Sequence, residues 1–166
     1  FNAAIKCEVD VKQISRHFDT ISVCLSKGLG APIGSVLCGD RSTIDRARRW
    51  RKMLGGGMRQ AGIIAAAGIF ALQHQCDRLR QDHDHARLLA EGLREITRCT
   101  VEYGAAQTNM VFVTIPSAAV STLRPFLADH GVLIAAGQRI RLVTHLDIAR
   151  QDIDRVVSLF NEFFSP

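Results

Sequence analysis

Residues 24–40 run Cys24-Leu25-Ser26-Lys27-Gly28-Leu29-Gly30-Ala31-Pro32-Ile33-Gly34-Ser35-Val36-Leu37-Cys38-Gly39-Asp40. The centre of this stretch, SKGLGAP, holds two glycines and a proline and must be a loop. On its N-terminal side, residues 19–25 (DTISVCL) alternate and then run apolar, as a buried strand does. On its C-terminal side, residues 33–38 (IGSVLC) form a second short strand. So short a connection leaves no room for a helical crossover, so the two strands are expected to pair antiparallel.

Working outward, strand-like and helix-like segments alternate, which points to an α/β layer architecture. Ser42-Thr43-Ile44-Asp45 has capping-box spacing and should open a helix that stops at Gly55-Gly56-Gly57. Further helices are expected over about residues 59–74 and 77–97, the first containing the apolar run at 61–72, which reads as a buried helix. Then come a strand at 109–115, a helix at 118–130 ended by Gly131, and strands at 131–134 and 140–143. In the final helix, Ile153, Val156, Val157, Phe160, Phe163 and Phe164 share one face. The composition shifts near residues 75–100, from a Gly-rich, basic first part to a small, self-contained α/β lobe.

The 166 residues, 47% hydrophobic and 22% charged, exclude collagenous, low-complexity and wholly disordered classes. A net charge of +5 favours anionic partners, but 6% aromatics make a base-stacking surface a poor expectation. Cys7, Cys24, Cys38, Cys76 and Cys99 include no C-x-x-C pair, which removes the main support for zinc or thioredoxin-like sites. They read as reduced thiols of a cytoplasmic protein, with Cys24 and Cys38 as small buried hydrophobes. The N-terminus lacks the pattern of a signal peptide, and no apolar stretch is long enough to span a bilayer.

Four segments could carry chemistry. Lys27 stands at the end of a buried strand beside glycines, where a desolvated stem would favour the neutral, nucleophilic amine that Schiff-base chemistry requires. The glycines would let a flat ligand approach the backbone, although a solvated lysine in a glycine turn is the simpler reading. Neither G-x-G-x-x-G nor a phosphate-binding G-x-x-x-x-G-K-[ST] motif occurs. Gly55-Gly56-Gly57-Met58-Arg59 could offer backbone N–H groups and a cation to a phosphate, or could be a plain helix–helix turn. The run RARRWRK at 46–52 spreads around a helix and reads as a solvated or intersubunit face rather than a nucleic-acid patch. Arg139 and Arg141 would share one strand face, where one of them could offer a bidentate fork to a carboxylate. His83 and His85 lie two apart and do not face one way on a helix, which argues against a metal pair, and His145 is either structural or adjacent to a site.

Taken together, CLSKGLGAPIGSVLCGD (24–40), RRWRKMLGGGMRQAGIIAAAGIFAL (48–72) and IRLVTHLD (140–147) resemble the low-specificity L-threonine aldolases of the β-eliminating lyase group. The likeness covers the whole chain. It implies the aspartate-aminotransferase-like fold of pyridoxal 5'-phosphate (PLP) enzymes. Residues 1–80 would then end the large PLP-binding domain, and 81–166 would form the small C-terminal α/β domain. By the same resemblance Lys27 matches the lysine that holds PLP covalently. Arg59 matches an arginine that reaches a PLP phosphate in a neighbouring subunit, and Lys52 a basic residue near the site. Arg141 matches the arginine that clamps the substrate carboxylate. The implied reaction cleaves L-threonine, L-allo-threonine or related β-hydroxy amino acids to glycine and an aldehyde, in a cytoplasmic homodimer or homotetramer with shared active sites. Neither nucleic acid nor membrane is an expected partner.

Family members are longer at the N-terminus, and the match begins at Phe1-Asn2-Ala3-Ala4 rather than at a Met. In the family this point follows an Asp-Gly-Ala-Arg segment whose Asp partners the pyridine nitrogen. The chain is therefore expected to be the C-terminal portion of such an enzyme and a poor aldolase alone. A related PLP β-eliminating lyase, a phenylserine-type aldolase and a non-catalytic partner-binding domain are the competing expectations.

Overall fold

The computed structural model describes residues 1–104 and 107–165. The chain divides into two compact units, Phe1–Leu79 and Arg80–Pro166.

The first unit opens with two short helices, α1 (Asn2–Cys7) and α2 (Val11–Ser15), the latter capped by Asp10, whose carboxylate accepts the Lys12 N–H at 2.8 Å. Strands β1 (Thr20–Cys24) and β2 (Ser35–Gly39) follow and pair antiparallel, with Thr20 opposite Gly39 and Cys24 opposite Ser35. Helix α3 (Arg41–Met53) starts one step before the expected capping box. Asp40 is its cap, accepting the Thr43 N–H at 2.6 Å, while the Ser42 hydroxyl donates to the same carboxylate at 2.9 Å. A carboxylate three residues before Thr43 outcompetes the serine for the free helix N–H groups.

Gly55 follows the C-terminus of α3 at φ +84°, a conformation that suits glycine. Its N–H donates to Lys52 O at 3.2 Å and the Gly56 N–H to Arg51 O at 2.8 Å, the paired bonds of a Schellman cap. Helix α4 (Gly62–His74) is apolar on all sides, but within this unit only Gly68 and Ala71 are buried. Ile63 is 86% exposed, and Ile69, Phe70 and Leu72 are exposed too. The expectation of a buried helix is corrected accordingly. A helix that is apolar all round needs cover on more than one side, and the unit's core of Leu25, Leu29, Ala31, Ala71 and Leu79 supplies one.

Leu79 also begins α5 (Leu79–Arg94), whose remaining residues belong to the second unit. There β3 (Thr100–Glu102), β4 (Met110–Thr114) and β5 (Arg139–Val143) form an antiparallel sheet in that order. A 3-10 turn, Ser117–Ala119, leads into α6 (Val120–Asp129), and α7 (Arg150–Phe164) closes the unit. Register places Val101, Val113 and Ile140 in one row, and Val111 beside Leu142. That face packs with Leu89, Leu93, Leu123, Leu127, Ile153 and Phe160 into one core. The expected strand at 131–134 does not form. Gly131 (φ +77°) and Val132 close a second Schellman cap, donating to Ala128 O at 2.9 Å and Leu127 O at 2.8 Å, and the chain runs on irregularly. No helix among the described residues is long and apolar enough to cross a membrane.

Candidate functional site

Lys27 sits where β1 leaves the sheet. The turn that carries it is closed by Gly30 N–H donating to Lys27 O at 2.8 Å, with Gly30 at φ +70°. Ala31 N–H to Leu25 O (3.1 Å) and Leu25 N–H to Gly34 O (2.9 Å) tie its two ends. Leu25 and Leu29 anchor it in the core. Gly28 packs so closely that an added Cβ would stand 3.0 Å from Leu79 Cδ2. From 50 residues away, Arg78 Nη2 donates to Gly28 O at 3.1 Å, while its Nε donates to Gln75 Oε1 at 3.0 Å. Arg78 is thus a tether of the lysine loop that sequence reasoning missed, since nothing local to it signals a partner so far along the chain.

The loop is pinned, but the Lys27 side chain is exposed, so the expected desolvated stem is not found in this chain. Lys27 faces solvent because the unit's small core lies beneath Leu25 and Leu29. Lys27 borders a cavity of about 330 Å³ with Ile14, Ile21 and Val23 on its apolar wall and Ser15 and Ser22 as hydroxyls. A primary amine at the mouth of a largely apolar cleft of this size suits a flat, aldehyde-bearing ring of the PLP kind. Three residues before it, the Cys24 thiol lies 3.6 Å from Ser26 Oγ. That hydrogen bond, with help from the Lys27 charge, lowers the Cys24 pKa.

Lys52 and Arg59 flank the triple-glycine turn and line neither this cavity nor its rim. Lys52 folds back so that a Cβ on Gly57 would lie 2.5 Å from its Cδ and 3.2 Å from its Nζ. Its ammonium therefore stands over the turn that leads to Arg59, which is itself exposed. The glycines serve both the Schellman cap and this close approach.

Arg141 lies in the second unit, on the outer face of β5, in one row with Phe112 and Glu102. Its side chain is exposed and makes no hydrogen bond or ion pair with any described residue. It borders a cavity of about 390 Å³ shared with Leu133, Ile134, His145, Asp147 and Arg155. Arg139, on the same face as expected, donates Nε to Glu102 Oε1 and Nη2 to Glu102 Oε2, each at 2.9 Å, and stacks 4.1 Å from the Phe112 ring centroid. This pair holds the Glu102 carboxyl below the usual range.

The strand is fixed from behind by Thr144. Its buried hydroxyl donates to Asp82 O at 2.6 Å, and Asn109 Nδ2 donates to Thr144 O at 2.9 Å. His145 accepts the Asp147 N–H at 3.3 Å in a local turn. His85 is buried, and no group of three His, Cys, Asp or Glu residues suited to a metal exists among the described residues. All five cysteines are free; Cys38 is exposed because β2 is uncovered along its length, and Cys24, at the end of β1, is half-buried, which corrects the expectation that both are interior.

A sequence model described as beta-eliminating lyase matches residues 1–116, and the chain belongs to that family. It is 44% identical over 165 residues to the low specificity L-threonine aldolase of Escherichia coli, covering 99% of this chain and 49% of that protein. To the low-specificity L-threonine aldolase 1 of Arabidopsis thaliana it is 42% identical, covering 98% of this chain and 47% of that one. Its fold is similar to that of a Leishmania major threonine aldolase, with a TM-score of 0.77 at 16% identity over 99% of this chain and 49% of the other. The chain spans about half the length of the curated relatives it matches.

Proposed function

We propose that this chain is the cofactor-anchoring and carboxylate-binding part of a PLP-dependent aldolase that cleaves L-threonine, L-allo-threonine and related β-hydroxy amino acids to glycine and an aldehyde. The observation that carries the reading is Lys27, a primary amine held on a core-anchored glycine turn at the mouth of a cleft, in a chain 44% identical to an L-threonine aldolase. Lys27 would hold the cofactor covalently, and Arg59, with Lys52 beside it, would meet its phosphate across a subunit boundary. When bound, PLP supplies an electron sink for the charge left at Cα as the Cα–Cβ bond breaks. Arg141 receives the substrate carboxylate on its unpaired fork and so fixes which Cα bond is oriented for cleavage. The β-hydroxyl proton is lost as the aldehyde leaves, and Cα gains a proton to give glycine.

The exposed apolar side of α4 supports assembly as a homo-oligomer, a dimer or tetramer. Five free thiols support a reducing, cytoplasmic setting. The test is to incubate the full chain with PLP, reduce with borohydride and map the modified peptide. The label is expected on Lys27; a label on other lysines with none on Lys27 overturns the reading. Assays with L-threonine then separate glycine and acetaldehyde from the keto acid and ammonia that β-elimination would release.

A further inference from the structure

We propose that Arg139 is a positioning residue that keeps Arg141 open to a carboxylate by holding Glu102 away from it; this rests on the reading of Arg141 as the carboxylate site. Glu102, Phe112 and Arg141 stand directly across from one another on the outer face of β3, β4 and β5. Strands lie about 4.8 Å apart, so Glu102 and Arg141 are about 10 Å apart at the backbone. Two long side chains leaning over Phe112 span that distance. Left to itself, the Glu102 carboxylate is the natural internal partner for Arg141, and a guanidinium so paired has no fork to offer a ligand.

Arg139 prevents this. It lies one row away on the same face and engages both Glu102 oxygens at 2.9 Å, the bidentate geometry that a carboxylate accepts best. Its guanidinium also covers the Phe112 ring at 4.1 Å, the surface a Glu102–Arg141 bridge would cross. Of the other carboxylates bordering the Arg141 cavity, Asp152 is engaged, accepting the Ala149 N–H at 2.8 Å, and neither it nor Asp147 pairs with Arg141. Arg141 is left with no partner among the described residues. One arginine is spent on the protein's own carboxylate so that its neighbour is free for another.

The experiment follows the Arg141 Nε–H resonance of the full chain by NMR during titration with sodium acetate, in the wild type, Arg139→Gln, and Arg139→Gln combined with Glu102→Gln. Acetate is expected to shift the wild-type resonance. Arg139→Gln is expected to weaken apparent affinity about three- to fivefold, the scale on which an exposed ion pair competes for one guanidinium. The double variant is expected to restore it, and Arg139→Lys to fall between. If wild-type Arg141 ignores acetate, the carboxylate reading of Arg141 fails. If it responds but Arg139→Gln binds acetate as well as wild type, the role of Arg139 fails while that reading stands. If Arg139→Gln weakens binding and removing Glu102 brings no recovery, Arg139 acts by supporting the sheet and the proposal is overturned.

Discussion

Cys24 and Cys99 are both half-buried thiols, yet their surroundings push them in opposite directions. Cys24 shares a hydrogen bond with the Ser26 hydroxyl and feels the Lys27 charge, and its pKa is lowered. Cys99 packs against the apolar core, and burial pushes it up to about 11. The thiolate is the reacting species, and each unit of pKa is tenfold in its population where the thiol predominates. Iodoacetamide at pH 8 should therefore alkylate Cys24 at least about 100-fold faster than Cys99, as read by peptide mass spectrometry over time. Ser26→Ala should slow Cys24 and leave Cys99 unchanged; equal rates for the two cysteines in the native chain would refute this account. The same residues mark what could be read in advance. The loop that carries Lys27 was legible because two glycines and a proline directly follow an apolar run. The Arg78 tether and the Arg139–Glu102 fork were not, because their partners lie 50 and 37 residues away and only the folded chain brings them together.

Among the elements, those with a long periodic signature were the readable ones. The stripe of α7 lands as expected, with Ile153 and Phe160 buried, Phe163 and Phe164 packed beside them, and Leu159 added to the set. β1 and β4 fall within the expected segments, β2 starts two residues later and runs one residue past its expected end, and β1–β2 pair as the short loop requires. Helices of six and five residues (α1, α2) and a three-residue strand (β3) are too short to show a period, and they were missed. Residues 131–134 look like a strand because they are β-branched and apolar, but the Schellman cap at Gly131 takes their first N–H groups. One helix position sets two principles against each other. Gly92 lies inside α5, where alanine would ordinarily gain about 0.5–1 kcal/mol. A Cβ there would stand 2.7 and 2.8 Å from the two Val157 methyls of α7. Overpacking of that kind costs about 1–3 kcal/mol, so Gly92→Ala should destabilise by about 1–2 kcal/mol net in urea unfolding. Adding Val157→Ala should recover part of the loss; a stabilised Gly92→Ala would show that α7 shifts freely.

At the scale of the whole molecule, the contrast lies in how much each unit buries. The second unit encloses a core of fifteen buried apolar residues among those described, running from α5 through the sheet to α6 and α7. The first encloses five, and both its sheet and α4 carry apolar side chains into solvent, among them Val36, Leu37, Ile63 and Phe70. Local opening free energy follows buried apolar contact, so the two units should differ in protection even though both are regular in backbone. Native-state hydrogen exchange on the isolated 166-residue chain should find amides of β4, α5 and α7 at least about 100-fold slower than those of β1, β2 and α4, a gap of roughly 2.7 kcal/mol in opening free energy. Repeating the measurement across a range of chain concentrations separates the two sources of protection. If α4 slows as concentration rises while α7 does not change, its apolar face is being covered by a second copy, as the proposed oligomer requires. If the first unit is as protected as the second at the lowest concentration, its five-residue core is sufficient alone and the burial argument fails.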